Sequence, residues 1–379
     1  MNNHLQKMGG RILSEFNDLK RTLESASKEL NIELEKLNRI VSGDCDINDI
    51  HKLIIKMGDI YPIDISDLFL LKDDCEGGIK LMKHYESKSS SRTFKRKNRD
   101  GELKPYYEYR DTAMSRLSSF KPEWIKELRV VNDSDPNNPD VIYNNGHFLH
   151  QITFFIGPVN FYWKTGDKSY CKKMNTGDSN YITPFYPHSF ASRDGDKDAI
   201  IIAVTFGGEV RKNQKELYWL GNDRIQKFID MGKKNKTKNF IPVSTKRSDK
   251  NPKVSSSYKI KELTDISHLS LARGFDVEVL NSDETDTFET SFHTYIYNYG
   301  ESSSYFYSEF DNKTYKRLFE SGDSIYVQPF VKYSFENREQ NNSKILIIEV
   351  ATTINDSTQL ELSYFNNNDR ITKETKRWF

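Results

Sequence analysis

Two histidines and a glutamine carry the chemistry to follow in this chain. His147 and Gln151 stand four residues apart in Gly146-His147-Phe148-Leu149-His150-Gln151, and His188 follows Pro187 about forty residues later. On an extended strand, side chains four residues apart share a face, so His147 and Gln151 point together and His150, of opposite parity, points away as a packing or supporting residue. Three neutral donors on one face of an octahedral ion leave neighbouring positions open for further ligands. A buried histidine can equally be a hydrogen-bonded core residue, and the spacing alone leaves both readings open. The three cysteines, Cys45, Cys75 and Cys171, lack CxxC spacing, which argues against a disulfide framework and a thiolate zinc site. Any metal must then be held by nitrogen and oxygen.

The elements that position these donors read as short strands. Residues 128–206 contain HQITFFIG, VNFYWK, SNYITPFY and AIIIAVTF, separated by Gly, Pro, Asn and Asp, and residues 273–352 repeat the texture. The two regions also match each other. The segment from Gly177 to Phe190 aligns with that from Gly322 to Phe335 at eight identical positions of fourteen, and an aliphatic strand follows each. His188 in the first copy is Tyr333 in the second, whose only histidine is His293. The expected fold is mainly β, with tandem double-stranded β-helix barrels behind an all-α, helix-turn-helix-like unit. Its expected divisions are helices over 1–75, a connecting loop and helix over 76–125 that contributes to a substrate site, a catalytic barrel over 126–232, a basic linker over 233–262 and a metal-free barrel over 263–379. The polar, basic stretch 84–105 reads as a loop.

Composition narrows the class. In 379 residues, 56 Lys and Arg oppose 55 Asp and Glu, and mean hydropathy is −0.74, so the whole molecule is no electrostatic sponge for nucleic acid. No apolar run approaches the roughly 20 residues that span a bilayer, and the first residues lack the apolar core of a signal peptide. A cytoplasmic protein without membrane contact is expected. Residues 1–60 hold nine Lys and Arg against ten Asp and Glu, a poor balance for contacting phosphates, so no nucleic-acid partner is expected.

The His147, Gln151 and His188 pattern resembles the cupin family, whose first motif sets ligands ahead of a glycine turn and whose second sets Pro-His on a later strand. With the helical segment, the Tyr-rich stretch and the degenerate second barrel, nearly the whole chain resembles the mononuclear non-haem iron enzymes of phosphonate metabolism. Some members carry Glu four residues after the first histidine. Others take a Glu six residues before the second. Here those positions are Gln151 and Ile182, a set similar to that of the methylphosphonate-forming branch. The resemblance implies Fe(II), with no oxoglutarate, flavin or nicotinamide. It implies oxidative C–C cleavage of 2-hydroxyethylphosphonate by dioxygen to methylphosphonate and bicarbonate. For phosphonate binding it implies Asn144, Tyr109, an arginine for which Arg99 is the candidate, and a lysine of the helical segment, Lys20 or by raw spacing Lys28, shared between subunits of a homo-oligomer.

Three alternatives stay open on the sequence: the dioxygenase outcome, hydroxymethylphosphonate and formate; a helix-turn-helix cupin transcription regulator; and a cupin acting on some other polar substrate.

Overall fold

The computed structural model describes residues 3–207, 213–234, 243–246, 251–263, 271–282, 285–338, 341–354, 359–360 and 363. The chain divides into two compact units, Met1–Asp73 with Ile354–Phe379, and Asp74–Thr353.

The first unit is helical: α1 (Asn3–Asp18), α2 (Leu23–Glu29), α3 (Leu34–Ser42) and α4 (Ile47–Ile60). Thr22 caps α2 by accepting from the Ser25 amide at 3.2 Å, and Asp46 caps α4 by accepting from the Asn48 amide at 2.7 Å. Each satisfies an N–H that a first helical turn leaves unpaired. Ile12, Phe16, Leu30, Leu37, Ile50 and Ile54 are fully buried in a shared core. No described helix of the chain is long and apolar enough to cross a membrane.

The second unit is built of strands in two matching sets. The first set is β1 (Ile79–Met82), then α5 (His84–Ser89), β2 (Arg92–Lys97), β3 (Leu103–Arg110), β4 (Phe120–Glu127), β5 (Leu149–Ile156), β6 (Val159–Thr165), β7 (Lys168–Met174), β8 (Ser179–Ile182), β9 (His188–Ser192) and β10 (Ile200–Gly207), with α6 (Gln214–Lys234) after it. The second set is β11 (Val243–Lys246), β12 (Lys253–Val254), β13 (Tyr258–Glu262), β14 (Ala272–Val279), β15 (His293–Asn298), β16 (Ser304–Phe310), β17 (Lys313–Phe319), β18 (Ser324–Val327), β19 (Lys332–Asn337) and β20 (Ser343–Val350).

One barrel pairs the sheet β11-β8-β5-β10-β4-β3-β2 with the sheet β7-β6-β9; the other pairs β1-β18-β15-β20-β14-β13-β12 with β17-β16-β19. All ladders within the sheets are antiparallel. Each barrel therefore takes its outermost strand from the segment that precedes the other one. β1, which leads into the first barrel, pairs with β18 of the second, and β11, which leads into the second, pairs with β8 of the first.

Alternation along the strands sends one set of side chains into each barrel and the other into the seam between them. Phe120, Trp124, Tyr181 and Phe206 of the first barrel share that seam with Tyr295, Tyr297, Tyr326 and Leu346 of the second. Polar tips are satisfied across it, with Trp124 Nε1 donating to the Tyr297 hydroxyl at 3.1 Å and Thr112 and Tyr295 hydroxyls 2.6 Å apart.

Two expectations change. Residues 84–105 are not one loop: they hold α5, β2 and the start of β3. β2 is an edge strand exposed along nearly all its length, so it carries charge where an inner strand would carry aliphatic residues, and its sequence reads as loop. For the same reason the first barrel begins with β2 rather than at residue 126, and the basic stretch 233–262 contributes β11, β12 and β13 to the sheets. Residues 235–242 and 247–250 of that stretch, and most of the expected second barrel beyond Thr353, lie outside the described residues.

Candidate metal centre

Gln151 is the third residue of β5 and faces the interior of the first barrel. His147 lies two residues ahead of the strand instead of on it. Gly146, at φ 77, makes the approach possible, because a Cβ there would stand 2.6 Å from the Phe185 backbone carbon. The Phe185 amide then donates to His147 O at 2.9 Å, holding this approach segment against the corner before β9. His188 opens β9. Asn144 ties the two segments together: its Oδ1 accepts from the amides of Gly146 and His188, both at 2.9 Å, and its own amide donates to His188 O at 3.0 Å.

The side chains converge. The two imidazole rings lie 5.1 Å apart at 80°. His147 Nδ1 donates to Leu149 O at 2.7 Å and His188 Nδ1 to Tyr186 O at 2.8 Å, which assigns both lone pairs to Nε2, turned into the barrel. Gln151 Nε2 donates to Thr153 Oγ1 at 2.8 Å, so Oε1 is the amide end that faces His147, 3.1 Å from its Nε2. Both are acceptors. Facing lone pairs repel unless a cation lies between them, and cis donors on an octahedral ion with bonds of about 2.1 Å stand about 3 Å apart. Burial holds the His188 pKa down to about 4, with the field of His147 and of Arg96 adding to it against the Tyr186 hydrogen bond. Its imidazole is therefore neutral near pH 7, as a ligand must be. The residues fit a divalent metal held by two imidazoles and an amide oxygen.

Ile182, fully buried, is the cross-strand partner of Gln151. An aliphatic side chain thus occupies the position at which the resemblance sets a carboxylate in other members. Two residues away on the same face of β8, Asn180 is buried with neither end of its amide hydrogen-bonded, which marks a polar floor beneath the donors. His150 faces the other way, its Nδ1 2.9 Å from the Tyr181 hydroxyl and its ring stacked between Tyr181 and Phe206 in the seam.

The second barrel repeats the frame without the donors. Thr294 pairs with Val327 as Gln151 pairs with Ile182, Phe330 donates to Thr290 O as Phe185 does to His147 O, and Tyr333 stands for His188. His293 is the counterpart of His150, with Nδ1 2.6 Å from the Tyr326 hydroxyl.

Among the expected phosphonate contacts, Asn144 is at the site, with Nδ2 3.0 Å from His188 Nε2. Tyr109 lies on β3, its ring 5.8 Å from Tyr107 and 4.8 Å from Phe94. Arg99 is elsewhere engaged: it forms an ion pair with Asp140 in the hairpin turn after β2, its side chain 56% exposed. Two cations lie against the tyrosines of the first barrel: Arg96, bonded to Ile142 O and over the Tyr106 and Tyr107 rings at 5.0 and 5.1 Å, and Arg129, over Tyr106 at 5.1 Å and paired with Asp140. Glu127, cross-strand to Tyr107, is buried with both oxygens unbonded. Burial pushes its pKa well up, against the lowering field of Arg96. Sequence reasoning missed Arg96 because it sits in a run of basic residues, and missed Thr153 although that residue shares the parity of Gln151. Lys20 and Lys28 are both exposed on the helical unit.

No family model matches the chain. Its structure superposes on Streptomyces albus HEPD, solved with 2-hydroxyethylphosphonate and Fe(II) bound, with a TM-score of 0.85 at 27% identity over 98% of each chain. Cadmium-bound PhpD shares the fold, at a TM-score of 0.67 and 14% identity over 97% of this chain and 99% of that one. Two cupin barrels, one bearing an open set of neutral donors, define a mononuclear non-haem iron oxygenase. Methylphosphonate synthase of Nitrosopumilus maritimus (strain SCM1) is 33% identical to the chain in an alignment spanning 450 positions, 99% of this sequence and 96% of that protein. The chain belongs to the methylphosphonate synthase family.

Proposed function

We propose that the protein binds Fe(II) through His147, Gln151 and His188 and cleaves 2-hydroxyethylphosphonate with dioxygen to methylphosphonate and bicarbonate. Carbon, oxygen and electrons balance with substrate and O2 alone, one proton being released. The observation that carries the reading is the neutral donor set, with Ile182 opposite Gln151. When bound, the iron supplies the one-electron steps by which dioxygen reacts. The protein's part is to hold and orient. Thr153 fixes the Gln151 amide, the Leu149 and Tyr186 carbonyls fix the imidazoles, and Asn144 offers Nδ2 beside the ion. Arg96, in preference to Arg99, and Tyr109 face the phosphonate dianion. An amide in place of a carboxylate leaves the ion one charge more positive and strengthens its hold on a dianion.

Cytoplasmic residence, a homo-oligomer and a lysine shared between subunits, Lys20 or Lys28, belong to the same proposal and rest on composition and the family resemblance. Phosphorus NMR of iron-loaded protein given 2-hydroxyethylphosphonate and air tests the reaction: a methylphosphonate signal supports it, and hydroxymethylphosphonate with formate assigns the dioxygenase outcome instead. Gln151→Ala and His188→Ala should lose both iron and turnover, and iron content unchanged in both would remove the site assignment. Arg96→Ala should raise KM far more than Arg99→Ala.

A further inference from the structure

The iron reading places a strong oxidant among aromatic side chains, and their arrangement leads outward. His188 on β9, Trp163 on β6 and Tyr170 on β7 form one row of cross-strand partners over three adjacent strands. The Trp163 ring stacks on that of Tyr170 at 5.3 Å and 15°, and on its other side it stacks on Phe161 at 4.9 Å and 18°. Phe161 stacks on Phe190 at 5.2 Å, and Phe190 lies 5.8 Å from the His188 imidazole. The ladder thus runs without a gap from a metal ligand to Tyr170, which is 39% exposed. Indole and phenol are the most readily oxidised of the aromatic side chains, and they occupy the two outermost rungs.

The second barrel serves as an internal control. Its corresponding row is Tyr333, Ser308 and Tyr315, and its Phe306 and Phe335 remain in contact at 5.5 Å. Where the metal ligand becomes tyrosine, the central rung becomes serine. Packing alone does not demand an indole at this position, since the duplicate frame closes without one.

We propose that Trp163 and Tyr170 are a redox relay that carries a stranded oxidising equivalent from the iron site to the surface when dioxygen reacts without productive turnover. The proposal rests on the iron reading above. Trp163 gives one electron to the oxidised iron site and becomes an indole radical cation; Tyr170 returns one electron to Trp163 and releases its phenolic proton to solvent. The resulting tyrosyl radical is reduced at the surface by a thiol or an ascorbate-type reductant, so the iron site is reduced by one electron and the external reductant oxidised by one.

The test uses the full-length Fe(II)-loaded protein exposed to air without phosphonate, alongside Tyr170→Phe, which removes only an exposed hydroxyl, and Trp163→Phe. Freeze-quenched samples of the parent should show a tyrosyl radical by electron paramagnetic resonance, and Tyr170→Phe should lose that signal. Peptide mass spectrometry should find oxygen added to Phe161, Phe190 and Trp163 severalfold more in Tyr170→Phe than in the parent. In Trp163→Phe the damage should remain at Phe161 and Phe190. Initial turnover of 2-hydroxyethylphosphonate by Tyr170→Phe should match the parent, while the number of turnovers before inactivation falls severalfold. A parent that turns over but gives no radical, with the same oxidation map in all three proteins, overturns the relay and leaves the iron reading standing. Failure of the parent to retain iron overturns both.

Discussion

Thr153 holds the Gln151 amide by a single hydrogen bond of 2.8 Å, and that bond decides which amide atom faces His147 and the proposed iron. Thr153→Val keeps the shape and removes the acceptor. Loss of such an outer partner weakens metal binding by about 10–100-fold, so the iron Kd from anaerobic titration should rise by that factor while the unfolding temperature of the metal-free protein changes little. A second residue-scale consequence concerns acid. Burial holds His150, His188 and His293 down to about 4, from an ordinary 6.5. Between those values the unfolded chain takes up protons that the folded one refuses, so stability falls as pH drops through the window. His293 lies outside the metal site and isolates the effect: His293→Gln should lose less unfolding temperature between pH 6.5 and 4 than the parent. An identical loss in both proteins would assign the acid sensitivity elsewhere.

At the scale of elements, the approach to β5 governs the site. Gly146→Ala would force a side chain into a left-handed backbone against the Phe185 carbonyl carbon at 2.6 Å. The conformation alone costs about 1–2 kcal/mol, and displacement of His147 should weaken iron binding as well, both readable from denaturant melts and iron titration. Which elements could be read from sequence follows from burial. The strands around Gln151 and His188 are buried on both faces and announce themselves by aromatic and aliphatic runs, and the repeat fixes their equivalence. β2, exposed nearly throughout, follows no such pattern, and with it Arg96 stayed hidden and Arg99 was the expected arginine. The parity argument placed His150 on the face away from Gln151, but it could not show that His147 precedes the strand and reaches the interior through a glycine turn. A hydrogen bond from Phe185 and a left-handed glycine are tertiary facts with no period in the chain.

At the scale of the whole molecule, the exchange of β1 and β11 makes each barrel's sheet depend on chain from the other half. His84 reinforces the first exchange, its amide donating to Asp323 Oδ1 at 2.8 Å, and Lys83 forms an ion pair with the same buried carboxylate. A protease site inserted between residues 235 and 242 would cut the connection while leaving both exchanges intact. The two fragments should co-elute on native size exclusion and separate only in denaturant; separation in buffer would mean that the exchanged strands and the seam contribute little to holding the halves together. The same exchange sets an order on synthesis. On a growing chain the first barrel acquires its last strand as β11 emerges, after β10 and α6. β1 is made earliest of all the strands and has no partner until β18 is made near the end of the second copy. An apolar edge segment must therefore wait through most of translation for a distant partner, the condition under which folding slows and strands find wrong neighbours.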